Sequence, residues 1–406
     1  MPGYAEQLAT FVPGAVLRRL ALGDAAAAGS ESLQAAVLFA DVSGFSRLAA
    51  DLAQQGPAGT EALNTVLNEY FTTVLETIRA HGGDAVKFAG DAVFAIWPAG
   101  DEPLSVQVAR ASACGLDANN ALAGVGGGLT QRIAVGAGEV SLVFAGDRAH
   151  GQFFVVVGEG LTQAIRAQEM ALPGRVTLSS EAARLFPDRT LLEPLEGGRA
   201  LLSGRPSVPS AAPPVDHPMG LPATMAIEAY VPLPIRSRLA AGQDEWLADL
   251  RRVSVLFVNI DGFERPSKLA QGAIVDALAM IQPIVSRHDG FINQIVVDDK
   301  GTDIVVFMGV PPQAHEDDAF RCVRAALEIE TALARAGLEA SMGIATGTVF
   351  AGPIGTAWRR EYTALGETVN LAARFMSVAA GGIVVDEARA GRPRNGCVTT
   401  HCLWSL

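Results

Sequence analysis

Two aspartates stand beside apolar segments in positions that suit metal chemistry. Asp41 directly follows the apolar residues 36–40, and Asp91 lies in the tight turn 89–91 between two apolar segments. An apolar strand that ends in a carboxylate delivers that group to the end of a sheet. Two carboxylates on neighbouring strands suit Mg²⁺, which prefers hard oxygen ligands and completes its shell with water and substrate phosphates.

Each aspartate also has a purely structural interpretation. Asp41 can cap the helix that follows it, and Asp91 can be an ordinary hairpin-turn residue. The flanking pattern favours the metal site, because Phe39-x-Asp41-x-x-Gly44-Phe45 is followed at a fitting distance by Lys87-Phe88-x-Gly90-Asp91. Backbone N–H groups of the turn after Asp41, at a helix start, form a cradle for an anion. The candidate substrate-binding residues of that turn are Ser43, Gly44, Phe45 and Ser46.

Periodicity indicates the elements that must position these groups. Residues 61–80 carry apolar side chains at helical spacing, and Gly82 and Gly83 end that helix and start a hairpin. Residues 132–136 and 153–157 predict further strands. The order predicted for each half is strand, helix, hairpin, helix, hairpin, strand, helix, which is an α+β sandwich with helices against a mostly antiparallel sheet.

Composition limits the classes of function. The 406 residues are enough for two domains, and the net charge of −12 argues against a nucleic-acid-binding surface. No apolar run approaches the ~20 residues that span a bilayer, and no signal peptide is apparent. The four cysteines are scattered, without a C-x-x-C pair, so we expect a cytoplasmic protein without a disulfide framework.

The chain repeats itself about half its length further on. The helix-forming segment 11–20 returns at 230–239, and each copy precedes an apolar strand. Phe39 to Phe45 aligns with Phe257 to Phe263, and the segment that begins at Gly158 aligns with the one that begins at Gly366. So long a period indicates tandem domains and excludes a solenoid. We predict an N-terminal helical segment at 1–33, domains at 34–202 and 229–391, a Pro-rich linker at 203–228 and a tail at 392–406.

The two halves have lost different residues. The second half has Asn259 and Thr302 where the first has Asp41 and Asp91. In exchange it carries Lys300, Thr363, Asn370 and Arg374, of which the first half retains only the arginine, as Arg166. Neutral drift after duplication is the alternative, but drift is not expected to leave one complete set divided between two halves. A pseudo-symmetric pair with one working site and one degenerate site explains the division.

These motifs resemble those of the class III nucleotidyl cyclases, and most closely the soluble, bicarbonate-regulated adenylyl cyclases. The resemblance covers roughly residues 11–390 and implies two tandem ferredoxin-like catalytic domains that form an intramolecular, pseudo-symmetric dimer, active as a single chain. It also implies two Mg²⁺ ions, replaceable by Mn²⁺. The metal ligands implied are Asp41, Asp91 and the main-chain carbonyl of Val42.

The resemblance implies the remaining roles residue by residue. Lys300 and Thr363 would contact adenine, Asn370 would orient the ribose, and Arg374 would stabilise the transition state. Arg132 resembles a basic triphosphate contact, although a strand-end charge facing solvent is the alternative. Because Lys300 suits an acceptor such as adenine N1, ATP is favoured over GTP. The alternatives left open are a guanylyl cyclase and a catalytically inactive nucleotide-binding regulator.

The degenerate half-site offers a possible regulatory anion site. In the bicarbonate-regulated relatives a lysine and an arginine bind the activating anion. Lys87 matches that lysine, whereas Arg166 falls one residue later than the family's arginine, and one helical position is a rotation of about 100°. The alternative is that both residues neutralise nearby acids such as Asp84 or Glu169.

Overall fold

The computed structural model describes residues 3–23, 29–43, 48, 52, 57–90, 92–122, 129–147, 149–209, 223–243, 249–261, 268–298 and 301–386. The chain divides into two compact units. The first consists of Met1–Val143, Val156–Ile227 and Ile354–Glu361, and the second of Phe144–Val155, Glu228–Pro353 and Tyr362–Leu406. Each unit therefore contains one short segment from the other half of the sequence.

In chain order, the first half contains a mixed series of helices and strands. They are α1 (Tyr4–Ala9), α2 (Gly14–Ala21), β1 (Gly29–Ser43), α3 (Pro57–Ala80), β2 (Asp84–Ala89), β3 (Ala92–Pro98), α4 (Leu104–Leu122), β4 (Thr130–Asp147), β5 (Gly151–Val157), α5 (Glu159–Glu169), β6 (Val176–Leu178), α6 (Ser180–Leu185), β7 (Leu192–Pro194) and β8 (Ala200–Leu202). Two short 3₁₀ turns, Arg189–Leu191 and Glu196–Gly198, flank β7.

The second half repeats the main part of this series. Its elements are α7 (Thr224–Glu228), α8 (Leu233–Ala240), β9 (Asp249–Ile260), α9 (Lys268–Arg287), β10 (Phe291–Asp298), β11 (Gly301–Met308), α10 (Asp318–Arg335), β12 (Ala340–Gly355), β13 (Arg360–Leu365), α11 (Glu367–Val378) and β14 (Ile383–Val385). The predicted helices at 11–20 and 230–239 correspond to α2 and α8.

The two sheets share one strand order. The first runs β2-β3-β1-β4-β6-β8-β7, with β5 paired to β4, and the second runs β10-β11-β9-β12-β13, with β14 paired to β12. Pairing is antiparallel around β1 and β9, whereas β4–β6 and β12–β14 are parallel. The predicted α+β class with tandem, mostly antiparallel sheets is confirmed.

The apolar stripe predicted for α3 forms much of the first core. Leu67, Tyr70, Phe71, Val74 and Ile78 are fully buried, and burial of each such side chain contributes about 1.5–3 kcal/mol. At the end of the helix the chain must pass close to Trp97, since a Cβ on Gly83 would lie 2.4 Å from the indole ring. This contact fixes the start of the β2–β3 hairpin.

The predicted order of elements is wrong after the second hairpin of each half. Helix α5 follows β5 directly, and strand β6 comes after it; α11 and β14 have the same order. Strand β6 has only three residues and is too short for a period-2 pattern to identify. The helices that follow the two hairpins are the elements that carry Arg166 and Arg374.

Candidate functional site

Asp41 lies near the end of β1, which is an interior strand of the first sheet, between β3 and β4. It is paired in register with Ala92, the first residue of β3, so the carboxylate stands beside the β2–β3 turn. Gly90 in that turn has a φ of +64°, a conformation that favours glycine. Asp91, the second predicted metal ligand, lies outside the described residues. Of the three predicted metal ligands, the described residues therefore include Asp41 and Val42. Val42 is buried near the end of the same strand.

The carboxylate of Asp41 is held by a residue that the sequence analysis missed. Gln168, on α5, donates from Nε2 to Oδ2 of Asp41 over 2.7 Å, and Gln168 is itself only 9% exposed. Burial raises the pKa of Asp41, while the nearby Arg132 guanidinium and the Gln168 hydrogen bond oppose that rise. The carboxylate is thus partly desolvated and oriented, with Oδ1 not engaged by Gln168.

Arg132 is half-buried on β4 and close enough to Asp41 to influence its titration. Its Nε is buried and has no hydrogen-bond partner among the described residues. A strand-end charge that simply faces solvent would be neither half-buried nor adjacent to a buried carboxylate. This placement is compatible with the predicted contact to an anionic substrate.

Close backbone packing places α5 against the sheet. A Cβ on Gly136 would lie 2.3 Å from the carbonyl oxygen of Gly160 and 2.6 Å from the amide nitrogen of Ala164. The second unit uses the same device, since a Cβ on Gly343 would lie 2.1 Å from the carbonyl oxygen of Ala372. In each unit a glycine on the long strand lets the helix backbone approach the sheet closely. This contact fixes the position of the polar residues of the helix relative to the sheet.

In the second unit α11 presents Asn370 and Arg374. The two residues are four positions apart and so share one helical face, and both are exposed. Thr363 lies on β13 and is 4% exposed. Lys300 lies outside the described residues, as do Gly44, Phe45 and Ser46 of the predicted anion cradle. Ser43 ends β1.

The counterpart of the metal site in the second unit has a different chemistry. Asn259 pairs in register with Asp303, as Asp41 pairs with Ala92, and Thr302 directly precedes Asp303 in the sequence, as Asp91 precedes Ala92. Asn259 donates from Nδ2 to Oδ1 of Asp303 over 2.7 Å. Thr302 is buried, and its hydroxyl has no partner among the described residues. An amide and a hydroxyl do not replace two carboxylates as Mg²⁺ ligands.

Lys87, the predicted anion ligand, has a carboxylate partner in the first unit. It forms an ion pair with Glu361, which also accepts from the Phe88 amide over 3.2 Å and from Nη2 of Arg359 over 2.9 Å. The predicted alternative partner, Asp84, instead pairs with Arg18 at 2.9 Å. Arg166 is exposed near the end of α5 and takes part in a noncovalent interaction with another group.

The predicted metal ligands offer oxygen atoms, which are the type of donor that Mg²⁺ binds. Mg²⁺ usually takes one or two protein carboxylates and fills its remaining positions with water and substrate phosphates. The partly buried carboxylate of Asp41 meets this requirement without a dense cluster, and the described residues contain no group of three or more His, Cys, Asp or Glu placed to hold a metal. Within the described residues, no helix is long and apolar enough to cross a membrane.

Comparison with known proteins identifies relatives over most of the chain. The family described as the adenylate and guanylate cyclase catalytic domain matches residues 29–205 and 248–389. Adenylate cyclase type 10 of Homo sapiens is 28% identical over 394 residues, which cover 86% of this chain and 24% of that protein. The protein of the same name from Oryctolagus cuniculus is 28% identical over 389 residues, with the same coverage. This chain therefore spans about a quarter of the length of these relatives.

A solved structure shares the fold across both units. It is that of a class III adenylyl cyclase-like ATP-binding protein from Pseudomonas aeruginosa, which aligns with a TM-score of 0.60 and 13% sequence identity. The alignment covers 88% of this chain and 84% of that one. The tandem arrangement inferred from the internal repeat thus occurs in a known structure.

Proposed function

Because the chain belongs to the adenylate and guanylate cyclase catalytic domain family and contains two such domains, we propose that it is an adenylyl cyclase that converts ATP to 3′,5′-cyclic AMP and pyrophosphate. We place the catalytic domains at 34–202 and 229–391. The observation that carries the proposal is the division of functional groups. The first half keeps Asp41 and Asp91, and the second keeps Asn370 and Arg374, so one chain supplies one complete set.

In this proposal Asp41, the Val42 carbonyl and Asp91 would hold Mg²⁺. When bound, Mg²⁺ activates the ribose 3′-hydroxyl and neutralises charge on the phosphates, and Mn²⁺ can replace it. Gln168 keeps one oxygen of Asp41 occupied, which would leave the other oxygen to hold the metal. Arg132 supplies a fixed positive charge near the same carboxylate, where the triphosphate would be bound.

The second unit would supply the nucleoside contacts. Asn370 would orient the ribose, so that the 3′-hydroxyl is in line with the α-phosphorus and the leaving pyrophosphate. Arg374, on the same face of α11, would stabilise charge at the α-phosphate, a contribution of about 10²–10³ in rate for a preorganised donor. Lys300 and Thr363 would contact the polar edge of adenine, and a site built to pair with that edge discriminates through those pairs.

We further propose that bicarbonate stimulates the enzyme through Lys87 and Arg166. Lys87 lies on β2, a few residues before Asp91, so a change at Lys87 can alter the β2–β3 turn. The carboxylate of Glu361 already occupies the lysine, and an incoming oxyanion must compete with it. The test compares sodium bicarbonate with sodium chloride at fixed pH and ionic strength. Equal rates, or stimulation that Arg166→Ala leaves unchanged, would remove this part of the proposal.

The choice of substrate is tested by incubating the purified chain separately with ATP and GTP in Mg²⁺ or Mn²⁺ and identifying the products. We expect 3′,5′-cyclic AMP as the main product and slower turnover of GTP. Faster formation of cyclic GMP would assign the chain as a guanylyl cyclase. No cyclic nucleotide from either substrate, with nucleotide binding retained, would make it an inactive nucleotide-binding regulator.

A further inference from the structure

Strand β2 leads into the turn in which Gly90 precedes Asp91. It stands at one end of the strand order of the first sheet, so among the described strands only β3 pairs with it. The β2–β3 pairing also shifts register between Ala85 and Lys87, which marks a β-bulge. An edge strand exposes backbone N–H and C=O groups, and a bulge interrupts its remaining ladder. The position of the metal turn therefore depends on what pairs with the outer edge of β2.

Two side chains of the segment 354–361 pair with backbone groups of β2. Nε of Arg359 donates to the carbonyl oxygen of Ala85 over 2.9 Å. The carboxylate of Glu361 accepts from the amide of Phe88 over 3.2 Å. One contact lies before the bulge and the other after it, so together they hold the strand on both sides of its extra residue. We call Arg359 and Glu361 the edge brace.

Arg359 joins the two contacts of the edge brace. Its side chain is 3% exposed, and Nη2 donates over 2.9 Å to Oε2 of Glu361, the oxygen that also accepts from the Phe88 amide. The guanidinium also donates to the carbonyl of Arg360 and lies 5.0 Å from the centroid of the Phe88 ring. A planar guanidinium can make these contacts at once, whereas the single ammonium of a lysine cannot.

The segment that carries the edge brace is attached elsewhere in the first unit as well. The amide of Arg360 donates to the carbonyl of Thr10, at the end of α1, over 2.6 Å. Nε1 of Trp358 donates to Glu76 on α3 over 2.9 Å, and the Arg79 guanidinium lies 5.4 Å from the centroid of the indole ring. The edge brace is therefore a fixed support for β2, because its own position does not depend on β2 alone.

We propose that Arg359 is a positioning residue for the metal turn. It holds β2 directly and, through Glu361, as far as Phe88, which lies three residues before Asp91 in the sequence. Replacement of a residue that supports a metal ligand typically lowers metal affinity about 10–100-fold. The inference rests on the proposed metal site. It adds that a buried arginine from the second half of the sequence sets the affinity of that site.

The test compares Arg359→Gln with Arg110→Gln in the full chain. Arg110, on α4, is the matched control because it is also buried, at 7% exposed, and donates to the carboxylate of Glu102 and to Gln107. Binding of Mn²⁺ alone is measured by electron paramagnetic resonance at a temperature at which circular dichroism shows each variant folded. Arg359→Gln should weaken Mn²⁺ binding about tenfold, and Arg110→Gln should leave it unchanged. Equal affinities of Arg359→Gln and the unmodified chain would overturn the inference.

A second measurement separates positioning from stability. In the metal-free chain, amide hydrogen exchange in β2 and β3 should be faster in Arg359→Gln than in Arg110→Gln, because only the first variant frees the edge of β2. Faster exchange without weaker Mn²⁺ binding would make Arg359 a structural residue only and would overturn the positioning role.

Arg359→Lys replaces Arg359→Gln if the glutamine variant does not fold. It keeps a positive charge beside Glu361 but cannot make the full set of contacts, so Mn²⁺ binding should still weaken. Unchanged binding in the lysine variant would refute the inference. If the unmodified chain binds no Mn²⁺, the proposed metal site is itself wrong, and the positioning role fails with it.

Discussion

The carboxylate of Glu361 should be essential to the stability of the first unit. It accepts hydrogen bonds from Lys87, from the Phe88 amide and from Arg359. The side chains of Lys87, Glu361 and Arg359 are 19%, 14% and 3% exposed. Arg359 also donates to the carbonyl of Ala85 and lies over the ring of Phe88. We therefore choose Glu361→Gln, which keeps the shape of the side chain and removes its charge.

The expected cost follows from burial. Removal of one partner from a buried ion pair typically costs about 3–5 kcal/mol, because the other charge is left uncompensated. Two cations depend on Glu361, but the glutamine keeps one acceptor oxygen, so we expect about 3 kcal/mol. For a unit of this size 1 kcal/mol corresponds to about 2–4 °C, which gives a decrease in Tm of about 6–12 °C.

The assay is urea unfolding, for the free energy, and thermal unfolding, for the Tm, of the variant and of a matched control, Glu181→Gln. Glu181 pairs with Arg184 one helical turn away, with side chains 28% and 67% exposed, and such a surface pair contributes about 1 kcal/mol at most. Adding Lys87→Met to Glu361→Gln should recover part of the loss, since it removes a stranded ammonium. A cost for Glu361→Gln no greater than that for Glu181→Gln would show that the cluster does not stabilise the unit.

Three further outcomes follow from the surroundings of the predicted site. Burial raises the pKa of Asp41 above its value in the unfolded chain. The metal-free chain therefore loses stability as the pH rises from the unfolded pKa of about 4 through the higher pKa of the folded state. With a chelator present, Asp41→Asn should raise the Tm at pH 7 and give no gain below about pH 4. Gln168→Leu removes the donor to Asp41 and should weaken Mn²⁺ binding, measured by electron paramagnetic resonance, by about tenfold, whereas unchanged binding would show that Gln168 does not position the ligand. Thr363→Ala should raise the KM for ATP and narrow the preference for ATP over GTP, and an unchanged ratio would exclude Thr363 from base recognition.

Local sequence patterns predicted much of the fold. The apolar run before Asp41, the stripe on α3 and the repeat of both led to two similar units, because each feature depends on residues close together in the chain. The strand register is the same in both units at this point, since Ala92 opposes Asp41 and Asp303 opposes Asn259.

The missed features depend on contacts between distant residues. Gln168 is a single polar residue on an amphipathic helix, and its partner Asp41 is 127 positions away. Lys87 pairs with Glu361, which is 274 positions away in the sequence. Glu361 lies in the segment 354–361, which belongs to the first unit although it comes from the second half of the sequence. No local pattern predicts such an exchange, so the sequence suggested Asp84 as the neighbour of Lys87.

The most direct test of the proposed reaction is the rate of 3′,5′-cyclic AMP formation from ATP, with Mg²⁺ or Mn²⁺, by the unmodified chain, by Arg374→Ala and by Arg335→Ala. Both variants remove an exposed arginine from a helix of the second unit, but only Arg374 belongs to the predicted site. We expect cyclic AMP from the unmodified chain, a decrease of about 10²–10³ for Arg374→Ala and no change for Arg335→Ala. No cyclic AMP from the unmodified chain, or equal rates for the two variants, would contradict the account.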